Sequence, residues 1–122
     1  MLIVTNNPKF LGFEKDGYVV RYLEEDYLSV LRKVRDLVHQ GYEVLTHPLY
    51  GSVKPYETVY RTIVLKEGDE LKYDSLRLVE DAIVTAEKFY KTNKDWKWTA
   101  DILDDFQVID KDLIDNALAR IR

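Results

Sequence analysis

Leu2-Ile3-Val4-Thr5-Asn6-Asn7-Pro8 is a continuous apolar run that ends abruptly in a polar turn. Three successive branched apolar residues suit a strand buried on both faces, as in a sheet covered by helices on either side. The turn then reads as a helix start. The Asn7 side chain can accept an orphan backbone N–H, and Pro8 fills the first helical position, where its missing N–H costs nothing. A short helix or turn through Lys9-Phe10-Leu11-Gly12-Phe13 follows, and Lys15-Asp16-Gly17 ends it.

Working outward, Tyr18-Val19-Val20-Arg21-Tyr22-Leu23 is rich in aromatic and β-branched residues and reads as a second strand. The clearest helix comes next. Tyr27, Val30, Leu31, Val34, Leu37 and Val38 recur with a 3.6-residue rhythm, Glu25 or Asp26 favours the start, and Gly41 supplies the stop. His39 falls in the last turn, where a cation complements the helix dipole. Tyr42-Glu43-Val44-Leu45 is a third strand.

Strand, short helix, strand, helix, strand is the signature of a parallel sheet with right-handed crossovers. The expected fold is therefore α/β: a three-layer sandwich with a mainly parallel sheet, its first three strands in the order 2-1-3, formed by one domain over residues 1–122. Tyr60 to Leu65 forms a fourth strand whose direction is open, because only loop precedes it. Asp74 or Ser75 caps a long helix with Leu76, Val79, Ala82, Ile83, Ala86, Phe89 and Tyr90 on its core stripe. Phe106-Gln107-Val108-Ile109 reads as a short fifth strand. Asp110 then begins a last helix bearing Leu113, Ile114, Ala117, Leu118 and Ile121.

Composition bounds the function. The chain has 122 residues, 46% hydrophobic and 33% charged, enough for one core. A net charge of -4 gives no pull toward nucleic acid or an anionic membrane. With no cysteine, thiolate chemistry, disulfides and Cys-based metal sites are excluded. No apolar run approaches the roughly 20 residues that span a bilayer, and Met1 to Val4 is too short for a signal-peptide core. The cytoplasm is the expected location.

In an open α/β sheet, ligands bind beyond the carboxyl ends of the strands where the strand order reverses. With the order 2-1-3, that point lies between Thr5-Asn6-Asn7-Pro8 and Thr46-His47-Pro48-Leu49-Tyr50-Gly51-Ser52-Val53-Lys54-Pro55. The candidate site is thus Thr5, Asn6, Asn7, Thr46, His47, Ser52 and Lys54. Asn7-Pro8 would present backbone N–H groups to a phosphate or carboxylate. Ser52 and Lys54 would add a donor and a positive charge, and His47 a hydrogen bond or a proton. The structural alternative is a pair of tight turns closing the sheet.

Other features favour structural readings. Asp101, Asp104, Asp105, Asp110, Asp112 and Asp115 make an acidic C-terminal third, but follow no EF-hand spacing, so helix caps and a solvated face are expected, and no metal. No glycine-rich phosphate loop is present, and no cofactor is expected. Trp96 and Trp98 are either core cover or a partner surface.

The opening Leu2 to Pro8, the run Val34-Arg35-Asp36-Leu37-Val38-His39-Gln40-Gly41, the segment Leu45 to Pro55, and Asp105-Phe106-Gln107-Val108-Ile109-Asp110 together resemble the GrdX-like family. These are small proteins encoded beside the glycine reductase system of amino-acid-fermenting anaerobic bacteria. The resemblance implies a cytoplasmic accessory to reductive amino-acid fermentation, with a glycine reductase component as its expected partner. It brings no catalytic residues. The expected function is an uncharacterised accessory protein that binds a small anionic metabolite or a partner protein through the two loops. The alternative is a small enzyme acting on a carboxylate or acyl-phosphate metabolite, with His47 as acid/base. Composition leaves a homodimer open.

Overall fold

A computed structural model describes residues 1–48, 59–92 and 99–121. In order, its elements are β1 (Leu2–Thr5), a single 3-10 turn (Pro8–Phe10), β2 (Val19–Tyr22), α1 (Tyr27–His39), β3 (Glu43–Val44), β4 (Thr62–Lys66), α2 (Tyr73–Thr92) and α3 (Ala100–Arg120). The strands form one sheet in the order β2-β1-β4-β3. Only β1 and β2 run parallel as neighbours; β4 is antiparallel to both β1 and β3.

The sheet is therefore mixed, not mainly parallel, and the expected order 2-1-3 is corrected by the insertion of β4 between β1 and β3. Burial explains the insertion. Thr62, Ile63, Val64 and Leu65 are all buried, whereas both residues of β3 are only half-buried. The strand with apolar side chains for both faces takes the interior of the sheet, and the short half-polar strand is left at the rim. β4 runs antiparallel to both neighbours, and antiparallel neighbours need no helical crossover between them. The rim is also covered: the outward N–H of Val44 donates to the Ser75 hydroxyl on α2, 3.0 Å away.

Side-chain alternation along the strands divides the core in two. Leu2, Val4, Ile63 and Leu65 pack with α1 and α2 on one face. Ile3 and Val64 pack with Phe10, Ile114 and Leu118 on the other. Helices thus cover both faces, and the three layers expected from the sequence are present.

The local signals mostly act where they stand. Asn7 caps the 3-10 turn, its side chain accepting from Lys9 N–H, with Pro8 first in the turn. Asp26 caps α1 by accepting from Ser29 N–H at 2.8 Å. Gly41 follows α1 with φ +107°, a conformation that favours glycine. Asp74 and Ser75 both lie inside the first turn of α2, so neither is its cap.

The main error of element type is the fifth strand. Phe106 to Ile109 lies within α3, and Asp110 sits in mid-helix instead of starting one. Thr99 is the true cap, accepting from Ile102 N–H at 3.2 Å. Four residues of β-favouring composition lost to the helical period that surrounds them, because Asp110, Ile114 and Leu118 form one buried stripe. The side chains of Phe89 and Tyr90, with Trp96 and Trp98, lie outside the described residues. Among the described residues, no helix is long and apolar enough to cross a membrane.

Candidate functional site

Where β1 ends and β4 begins, the apolar pattern of both strands gives way to threonine. Thr5 and Thr62 are cross-strand partners, their hydroxyls 2.6 Å apart and fully buried. The Thr62 hydroxyl donates to Asp110 Oδ2 at 2.6 Å. With that proton committed, Thr5 donates to Thr62 and accepts from the Asn7 N–H at 2.9 Å. Asn7 Nδ2 closes the ring by donating to Asp110 Oδ2 at 3.0 Å and to the Gln107 carbonyl at 2.9 Å. Gln107 Nε2 in turn donates to the Tyr60 hydroxyl. The cluster ties β1, the 3-10 turn, β4 and α3 together.

Asn6 makes a second set of ties. Its Nδ2 donates to the carbonyls of Glu25 and Val59, and its Oδ1 accepts from Arg61 N–H at 2.8 Å. The Arg61 side chain is 1% exposed, its guanidinium carbon 4.8 Å from the centre of the Tyr27 ring, a cation–π distance. Burial raises the Tyr27 hydroxyl above its usual range, and Arg61 opposes that rise.

Asp110 is 4% exposed. Burial pushes its carboxyl up to about 7, while the hydrogen bonds from Asn7 and Thr62 favour the charged form and pull the other way. Asp110 is thus a carboxyl held well above its usual range between the sheet and α3.

A groove opens beyond this cluster, between the exit of β3 and the second half of α3. Leu45, Thr46, His47, Leu113, Asn116 and Arg120 are among its lining residues, and it encloses about 430 Å³. Thr46 is buried and fastens the wall, its hydroxyl accepting from Val64 N–H at 3.0 Å. His47 is exposed, as are Asn116 and Arg120.

The seven sequence candidates therefore separate. Thr5, Asn6 and Asn7 join the closed cluster, and the N–H groups expected to face an anion are engaged internally: Asn7 to Thr5, Lys9 to the Asn7 side chain, Phe10 to the Asn7 carbonyl. Thr46 and His47 line the groove. Ser52 and Lys54 lie outside the described residues. The structure adds Asp110, Thr62, Gln107 and Arg61 to the cluster, and Asn116 and Arg120 to the groove. Asp110 carried a legible signal, since it stands four and eight residues before Ile114 and Leu118, on the buried stripe. The acidic third is partly paired, Asp104 with Lys9 and Asp115 with Lys111. Among the described residues, no group of three or more histidine or acidic side chains could hold a metal ion.

A family model described as GrdX-like protein matches residues 2–119. No curated protein and no solved structure gives a match.

Proposed function

The chain belongs to the GrdX-like protein family, and from that premise we propose that it is a non-catalytic accessory protein that binds a small anionic metabolite in the groove between the exit of β3 and α3. The observation that carries this reading is the composition of the groove: an imidazole, a carboxamide and a guanidinium from two separate elements share one cavity of about 430 Å³ with an apolar floor of Leu45 and Leu113. A few polar groups over an apolar floor is the usual make-up of a small-ligand site. Arg120 offers a bidentate fork for a carboxylate or phosphate, and His47 a second donor. The buried carboxyl of Asp110 is sealed beneath Thr62 and Asn7, which suits a structural post more than proton exchange with a ligand. The resemblance to proteins encoded with glycine reductase supports a cytoplasmic role beside amino-acid fermentation.

Calorimetric titration of amino-acid-derived carboxylates and acyl phosphates tests the reading. Binding should weaken about tenfold in Arg120→Ala and again in His47→Ala, roughly 1.4 kcal/mol each. A ligand that binds the double variant as tightly as the parent removes the groove from the proposal.

A further inference from the structure

The outer flank of α3 carries a second apolar line. Ile102, Phe106, Ile109 and Leu113 recur at spacings of four, three and four, the rhythm that lets one helix seat against another. This line is distinct from the buried stripe through Asp110, Ile114 and Leu118. Ile102 is 38% exposed and Ile109 45%, with Phe106 and Leu113 half-buried beside them. Two large aliphatic side chains in solvent two turns apart, continuous with half-buried neighbours, form a patch of the kind that marks an interaction surface.

The charges around the line say what covers it. Asp105 and Asp112, seven residues apart, run along one side, with Asp101 at the helix start. All three are exposed and lack an ion-pair partner among the described residues, in contrast to Asp104 and Asp115. A second copy of α3 is a poor occupant. Laid antiparallel, it sets Asp105 and Asp112 of one chain against Asp112 and Asp105 of the other; laid parallel, it offers Leu103, Asp110 and Ala117 opposite the acidic rail, and no cation. An anionic bilayer is repelled by the same rail.

We propose that this flank of α3 is a docking surface for an amphipathic helix of a partner protein whose apolar stripe is bordered by lysine or arginine. Its apolar residues seat along Ile102, Phe106, Ile109 and Leu113, and its cations pair with Asp105 and Asp112, giving register and salt-dependent capture. The surface shares Leu113 with the His47 and Arg120 groove, but Ile102, Phe106 and Ile109 lie outside the groove lining, so variants at Ile109 test this reading apart from that one.

The probe is a fluorescein-labelled helix of about 18 residues, leucine on a three–four spacing with lysine elsewhere, and a counterpart with glutamate in place of lysine. Anisotropy is read against the full chain at about 50 and 300 mM salt. The lysine peptide should bind saturably and more weakly at the higher salt. Ile109→Asp should weaken it at least tenfold, while Val84→Asp, the same charge change on an exposed site of α2, leaves it unchanged. Asp105→Asn with Asp112→Asn should flatten the salt dependence. Circular dichroism checks folding, and Ile109→Ser replaces Ile109→Asp if the latter unfolds. The proposal is overturned if both peptides bind alike, or if the α2 variant weakens binding as much as the α3 variant. It is also overturned if the chain sediments as a dimer that the Ile109 variant dissociates, because a second copy then covers the line.

Discussion

Asp110 shows how one residue can make a small domain respond to pH. Its carboxyl sits between Thr62 and Asn7, with a folded-state value of about 7 against an ordinary value near 4. The native state therefore keeps this proton over a range where the unfolded chain has lost it. Stability falls as pH rises from about 4 through 7 and is level above, the total being on the order of 4 kcal/mol. Glu67 works in the opposite sense, held low mainly by its hydrogen bond from the N-terminal ammonium, and acts below that window. Urea midpoints measured between pH 5 and 8 should decline with pH in the parent and run flat in Asp110→Asn, whose amide oxygen still accepts from Thr62 and Asn7. A parent midpoint that stays flat across that range, as in Asp110→Asn, would mean the carboxyl is ionised throughout and the two hydrogen bonds outweigh burial.

Among the elements, the turns are as constrained as the helices. α1 ends in Gln40, and Gly41 turns the chain toward β3 at φ +107°. There its backbone meets the Gly68 turn that joins β4 to α2: a Cβ on Gly41 would lie 2.6 Å from the Gly68 carbonyl oxygen, and one on Gly68 2.5 Å from that of Gly41. Gly41→Ala thus combines a disfavoured backbone with a collision against main chain, and should cost about 2 kcal/mol or more in chemical denaturation. A loss below about 0.5 kcal/mol would show that the two turns can part freely. Gly41 was legible as a helix stop, but its contact with Gly68 was not, because nothing in sequence spacing brings positions 41 and 68 together. The same limit explains both misreadings. Asn7-Pro8, Asp26 and the Tyr27–Val38 stripe act within one or two turns of chain, and each was readable. The order of β3 and β4 depends on which strand competes better for the sheet interior, and the strand reading of Phe106 to Ile109 ignored a helical period that runs on both sides of it. The candidate site was inferred from an adjacency of β1 and β3 that β4 occupies. Thr46 and His47 still line a groove because β3 and β1 point the same way, while their partners Asn116 and Arg120 come from a helix whose position the chain does not announce.

At the scale of the molecule, the arrangement makes the two halves of the sheet unequal. β1 and β4 are central, paired on both sides, and their core residues are sealed between α1 with α2 and α3. β2 alternates exposed and half-buried residues, and β3 is two residues long. Amide exchange in native conditions follows local opening, and the slowest amides belong to the segments that open only when the whole core does. Those of β1 and β4 should therefore exchange last, through global unfolding, while β2 and β3 exchange through cheaper openings. The experiment also separates the observed topology from the one the strand–helix alternation suggested. In a mainly parallel sheet ordered 2-1-3, β3 is paired to the centre and β4 stands at a rim or apart, so β3 amides would outlast those of β4. Slow exchange in β4 with fast exchange in β3 supports the mixed sheet; the reverse would overturn both the topology and the account of Thr62 as the buried bridge between Thr5 and Asp110.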